Sequence, residues 1–230
     1  MSKIAGLSLV ALALAGAAAN GQVVNWSEGA VDAGDLIGTQ QTPGPAGFAI
    51  ATISGSISSS TDVDCYSIFL PDPPAFVATT DNGLGTLGDT QLFLFRKFDA
   101  RGIIMNDDSP IGTTLRSRLT GVAGPDPDDL GVVPAPDEYA ICISGYNRDP
   151  VSPAGNIWAA GSVAPHGFRW ENAPVGAFAG PGAPGPLTGW TGTSGTGTYT
   201  IDLTGVVTKP EPCTMALMGV GALLALRRRR

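Results

Sequence analysis

The residues best able to do chemistry in this 230-residue chain are its carboxylates and its aromatics. Asn106-Asp107-Asp108 follows a strand-like run, and Asp89 opens another. Asp62, Asp64 and Asp99 fall in the same acidic half of the pattern. Calcium takes roughly six to eight hard oxygens, which Asp and Asn side chains on loops supply. Asp89, Asn106, Asp107 and Asp108 are therefore the candidate calcium ligands. No contiguous EF-hand spacing is present. The simpler reading is that these residues cap turns, as Asp and Asn routinely do.

Trp158, Trp170 and Trp190, with Phe168 and Phe178, lie in a stretch rich in Gly, Pro and Ala. Exposed aromatics on loops can form a platform for sugar rings, so the three tryptophans are candidate glycan-binding residues. The simpler reading is that they fold back over a sheet as a satellite cluster, because a long insertion needs an apolar anchor. Hydrolytic chemistry has little to work with. His166 is the single histidine, so any Ser-His-Asp or Cys-His arrangement must use it. There is no G-x-S-x-G, H-E-x-x-H or glycine-rich phosphate loop ahead of a helix. A hydrolase is the most distant reading, and no catalytic residue is assigned.

Strands must position these groups, because the middle of the chain has no helical periodicity. Strand signals run over residues 49–55, 64–70, 76–80, 89–95, 103–105, 118–122, 138–145 and 198–207, separated by Gly, Pro, Asn and Asp turns. That pattern predicts an all-β fold, a single β-sandwich. In 64–70, Tyr66, Ile68 and Leu70 share one face, and Cys65, Ser67 and Phe69 the other. In 139–144, Cys142 falls with Ala140 and Ser144. Both cysteines thus sit on the more polar phase. If these strands are antiparallel neighbours, Cys65 and Cys142 face the same way and can bridge. Closing that loop stabilises by ~4–5 kcal/mol in the chain-entropy picture.

Gly (32) and Pro (19) are abundant enough to demand many loops. Net charge is −7, but the ends hide the balance. With Lys3, Lys209 and Arg227–Arg230 set aside, 7 basic residues face 19 acidic ones over 20–208, every acidic residue but Glu211, a net of −12. No basic stripe exists to neutralise phosphates, so nucleic acid is excluded as a partner. Cations, positive surfaces or neutral glycans fit better.

The two ends carry targeting signals. Lys3, an apolar run from Ile4, and Ala17-Ala18-Ala19 have the layout of a secretory signal peptide, with cleavage expected after Ala19. In that oxidising destination Cys65 and Cys142 are expected to pair. At the other end, Pro210-Glu211-Pro212 leads into an apolar run over 215–226, and Arg227, Arg228, Arg229 and Arg230 close the chain. Four arginines mark the cytoplasmic side of a bilayer. Residues 212–226 span only about 22 Å as a helix, short of the ~30 Å hydrocarbon core. A temporary anchor is expected. These three parts in order resemble the PEP-CTERM sorting signal, with Cys213 where that family often has a smaller residue. The resemblance implies processing by an exosortase, a membrane transpeptidase-like enzyme, and an association with exopolysaccharide production.

A second resemblance lies in the middle. Asp62-Val63-Asp64-Cys65-Tyr66, Asp89-Thr90-Gln91-Leu92-Phe93-Leu94, Asn106-Asp107-Asp108, Ser117-Arg118-Leu119, 139–146 and Gly197-Thr198-Tyr199-Thr200-Ile201 are similar, in order, to the bacterial pre-peptidase C-terminal (PPC) domain. This implies a jelly-roll sandwich that is a non-catalytic accessory module. The chain departs from that family in its Pro-rich insertions at 124–136 and 147–190.

The organisation expected is a signal peptide at 1–19, an irregular leading segment at 20–47 with room for one edge strand, a PPC-like jelly-roll sandwich at 48–208 with an insertion at 147–190, and a sorting tail at 209–230. Helices are expected in the two targeting ends. The function expected is that of an exported, non-enzymatic surface or extracellular-matrix protein. Its partners are the general secretion machinery, exosortase, the inner membrane transiently, and extracellular polysaccharide. The alternative is a secreted carbohydrate- or calcium-binding module, with calcium as the one cofactor considered.

Overall fold

The computed structural model describes residues 22–108, 114–123, 131–159 and 173–209. The expected signal helix, the sorting tail with Pro210 to Arg230, and Trp170 lie outside the described residues. The described chain is all-β. Its strands are β1 (Val23–Ser27), β2 (Ala49–Ile57), β3 (Asp64–Leu70), β4 (Val77–Thr79), β5 (Thr90–Arg96), β6 (Gly102–Asn106), β7 (Arg118–Thr120), β8 (Asp137–Gly145), β9 (Asp149–Ser152), β10 (Gly155–Asn156), β11 (Gly189–Thr191) and β12 (Gly197–Thr204). No helix among the described residues is long and apolar enough to cross a membrane.

Two sheets face each other. One has the order β1-β2-β12-β4-β7, the other β3-β8-β5-β6. Ile53 and Ile57 of β2, Tyr199 and Ile201 of β12, Tyr66 and Ile68 of β3, Leu92 and Leu94 of β5, and Ile141 and Ile143 of β8 meet in the core between them. Strand β12 shows why its sequence folds so. Tyr199, Ile201 and Leu203 alternate with Thr198, Thr200 and Asp202, and the burial alternates with them. Each large apolar side chain taken from water there contributes about 1.5–3 kcal/mol.

The second sheet is buried on both faces, and this corrects the expectation that its cysteines lie on a polar phase. Strands β3, β5 and β8 are buried almost residue for residue. Their outer face carries Cys65, Phe93, Phe95 and Cys142, and the insertion covers it with Ile157, Trp158 and Leu187. That insertion builds a small sheet of its own, β10-β9-β11. Three layers, not two, explain why 90–95 and 139–143 read as nearly continuous apolar runs. β3 and β8 are antiparallel neighbours with Cys65 opposite Cys142, and the two sulfurs are bonded.

The leading segment carries one edge strand, as expected, and is tied down beyond it. β1 pairs in parallel with β2 at the sheet edge. The chain then crosses to the other sheet, where Gln41 accepts from Ser67 N–H at 2.7 Å and donates to the Cys65 carbonyl at 3.0 Å. The segment thereby laces the open edge of the sandwich. The strand register also gives the sandwich two ends. Asp64, Thr90, Asn106 and Gly145 mark one, and Leu70, Arg96, Gly102 and Asp137 the other.

Candidate cation site

Strand β3 begins with Asp64, in the phase of Tyr66, Ile68 and Leu70 that points into the core. Its side chain is fully buried. Tyr199, from β12 of the facing sheet, donates its hydroxyl to Asp64 Oδ2 at 2.7 Å, and the Tyr66 hydroxyl lies 2.7 Å from that of Tyr199. Asp64 Oδ1 is buried with no hydrogen-bond partner. A buried carboxylate oxygen without a donor is costly, which marks this position as unusual.

Two more carboxylates converge on Asp64. Glu28 follows β1, where its N–H donates to the Ser54 carbonyl at 2.9 Å. Its Oε1 accepts from Ala33 N–H at 2.7 Å and its Oε2 from Ser56 N–H at 3.0 Å. Asp32 lies on the loop that Glu28 thereby shapes. One oxygen each from Glu28, Asp32 and Asp64 lies within 4.8 Å of the others, the one such acidic group among the described residues. Asp62 adds charge nearby, and its carboxylate accepts from Ser58 N–H. Gly55 leaves the space this requires. A Cβ there would lie 2.4 Å from Tyr199 Oη and 2.5 Å from Glu28 Oε2. Glu28, Gly55 and Tyr199 also line an open cleft of about 340 Å³.

The electrostatics follow from this crowding. Burial first, and then the charges of Glu28, Asp62 and Asp32, push the Asp64 carboxyl up to about 9, against the pull of the Tyr199 hydrogen bond. Burial, followed by Asp62 and Glu28, raises Asp32 to about 6. A hard divalent cation reverses both effects, because it supplies the opposite charge and accepts the orphan oxygen.

The residues singled out from sequence are distributed as follows. Asp89 and Asp107 share the acidic end with Asp108 and Asp149, but their oxygens do not form a compact trio. Asp107 is buried with Oδ1 unpartnered. Burial, then Asp108, Asp89 and Asp149, lifts its carboxyl to about 8. Asn106 is spent on structure, since its Oδ1 accepts from Arg118 N–H at 2.8 Å at the start of β7. Asp99 is at the opposite end, ion-paired with Arg96 and Arg101, and so is not part of the acidic half.

Trp158 is 4% exposed. Its ring stands 5.8 Å from Phe93 and 5.9 Å from Phe95, and Trp190 is 5.3 Å from Phe93. Trp190 Nε1–H donates to the Asp35 carbonyl at 2.7 Å. These two tryptophans are the apolar anchor of the insertion, not an exposed platform. Sequence reasoning missed Glu28 and Asp32. The available signal was Asp64 itself, a carboxylate in the core-facing phase of a strand. No protein-family model matches this chain, and no curated protein or solved structure is significantly similar to it.

Proposed function

We propose that this chain is an exported, non-enzymatic surface or extracellular-matrix protein whose sandwich binds calcium at Glu28, Asp32 and Asp64. The observation that carries the cation is the buried, partnerless Oδ1 of Asp64 beside two further carboxylates. Three side chains leave room for backbone carbonyls and water, the mixed oxygen set that calcium accepts. Export is supported by the signal-peptide layout of 1–19 and by the bonded Cys65–Cys142 pair, which suits an oxidising compartment. The strand order of the two facing sheets is compatible with a PPC-like jelly roll. The tail from Pro210 to Arg230 is read as the exosortase sorting signal, with its apolar run as a transient inner-membrane anchor. Retention near extracellular polysaccharide follows from that reading.

Calcium titration into the EDTA-treated protein tests the site. Extracellular calcium modules bind at roughly 0.1–1 mM. Calcium at tenfold excess over such a Kd stabilises by about 1.4 kcal/mol, a Tm rise of about 3–5 °C. Asp64→Asn removes the charge without removing volume, so it folds and loses the rise. A wild-type Tm that ignores calcium overturns the cation reading. Mass spectrometry of the mature protein tests the sorting reading, which an intact Arg230 on the released form would sink.

A further inference from the structure

The sandwich has a chemically distinct face at the end away from the cation site. Phe98, at the tip of the β5–β6 hairpin, is 90% exposed. The turn does not need it. Ala100 N–H donates to the Arg96 carbonyl at 2.8 Å, Arg96 N–H to the Arg101 carbonyl at 2.9 Å, and Arg96 and Arg101 clasp Asp99. Beside Phe98, Lys97 binds Glu138 Oε1, and Lys209 Nζ binds Glu138 Oε2 at 2.7 Å. The chain therefore leaves the sandwich next to the Phe98 hairpin. Val207 confirms the path, exchanging backbone hydrogen bonds with Phe69 at 2.8 and 3.0 Å.

Charge separates along the strands. Arg96, Lys97, Arg101 and Lys209 gather at the exit end, where they balance Asp72, Asp99, Asp137 and Glu138. The opposite end stays negative even with Asp64 and Asp107 held protonated by burial, because Glu28, Asp32, Asp35, Asp62, Asp89, Asp108 and Asp149 outnumber Arg116, Arg118 and Arg148. Seven-residue strands put about 23 Å between the two ends, beyond the ~8–10 Å over which salt screens charge. An anionic bilayer repels the acidic end and tolerates the neutral one.

From this we infer that the Phe98 hairpin is a membrane-facing contact, with Phe98 entering the interface of an anionic bilayer that repels the acidic end and so turns the neutral end towards itself. The inference rests on the reading of 215–226 as a membrane anchor. Five residues separate Lys209 from Met215, so the exit end cannot stand more than about 20 Å from the anchor's first residue. Tethering makes a weak insertion effective, because the hairpin meets the bilayer at high local concentration. The acidic end is then presented outward, towards solvent cations.

The full chain, with Cys213→Ser, is reconstituted into phosphatidylethanolamine–phosphatidylglycerol vesicles containing a brominated lipid. An environment-sensitive label is placed on Phe98→Cys or, at the other end, on the exposed loop residue Val31→Cys. The label at 98 is expected to shift to the blue and to be quenched severalfold more than that at 31. Its quenching should fall when phosphatidylcholine replaces phosphatidylglycerol. Equal quenching at the two positions in protein that floats with the vesicles overturns the hairpin contact and leaves the anchor standing. Protein that does not float overturns both. Quenching at 98 that ignores phosphatidylglycerol overturns the orienting role given to the acidic end.

Discussion

Tyr199 and Asp64 come from facing sheets and share a 2.7 Å hydrogen bond in the buried core. The phenol satisfies one carboxylate oxygen and leaves the other bare. Whatever neutralises Asp64 must therefore be a proton or a cation.

Tyr199→Phe removes the donor while keeping the ring. It strips Asp64 Oδ2 of its partner and leaves the Tyr66 hydroxyl without its neighbour. A loss of about 1–3 kcal/mol is expected in calcium-free denaturant unfolding. Calcium should recover part of it. A loss that calcium does not alter would place the tyrosine pair in the core alone.

Stability in EDTA should fall as pH rises. Asp32, Asp107 and Asp64 have carboxyls lifted to about 6, 8 and 9. Each holds its proton longer in the folded than in the unfolded chain. Its contribution is complete below the ordinary carboxylate range near 4 and is lost as pH climbs through the folded value. Asp99 works the other way, because the Arg96 hydrogen bond holds its carboxyl low, so its contribution fades in acid. The maximum is expected on the acid side of neutrality. Asp107→Asn should flatten the fall and raise Tm at pH 8, with a gain of about 1–3 kcal/mol from removing an unsatisfied buried charge. A Tm that is level from pH 5 to 9 contradicts this.

Gly55→Ala tests the geometry of the cleft. The added methyl meets Tyr199 Oη and Glu28 Oε2 inside van der Waals distance. Overpacking of about 1–3 kcal/mol is expected, together with loss of the calcium-dependent Tm rise. Calorimetric calcium binding at wild-type strength in this variant would show that Glu28 is not a ligand.

Trp158→Ala separates core from platform. A buried ring among Phe93 and Phe95 costs about 3–5 kcal/mol when deleted. Urea unfolding should show that loss. Wild-type stability with weakened polysaccharide pull-down would instead restore the platform reading.

Much of the sandwich was legible because period-two alternation and turn residues are local. The run at 64–70 is read from sequence with the same bounds as β3. β12 is legible for the same reason, with one face buried and one polar. β9, β10 and β11 were not, since short strands rich in Gly and Pro carry no periodic signal. Cys65 and Cys142 also misled, because a third layer buries the face that alternation marks as the more polar one.

The sequence alone determined the all-β class and the acidity of the middle, since each depends on composition or on neighbours along the chain. It also paired the cysteines correctly once the strands were taken as antiparallel neighbours. Only the tertiary structure decided that Glu28, Asp32 and Asp64 form one site and that Phe98 shares an end with Lys209. The physical reason is that parallel pairing of β1 with β2 and the lacing of 28–48 across two sheets set those distances. Long-range register of that kind leaves no trace in the spacing of residues along a strand.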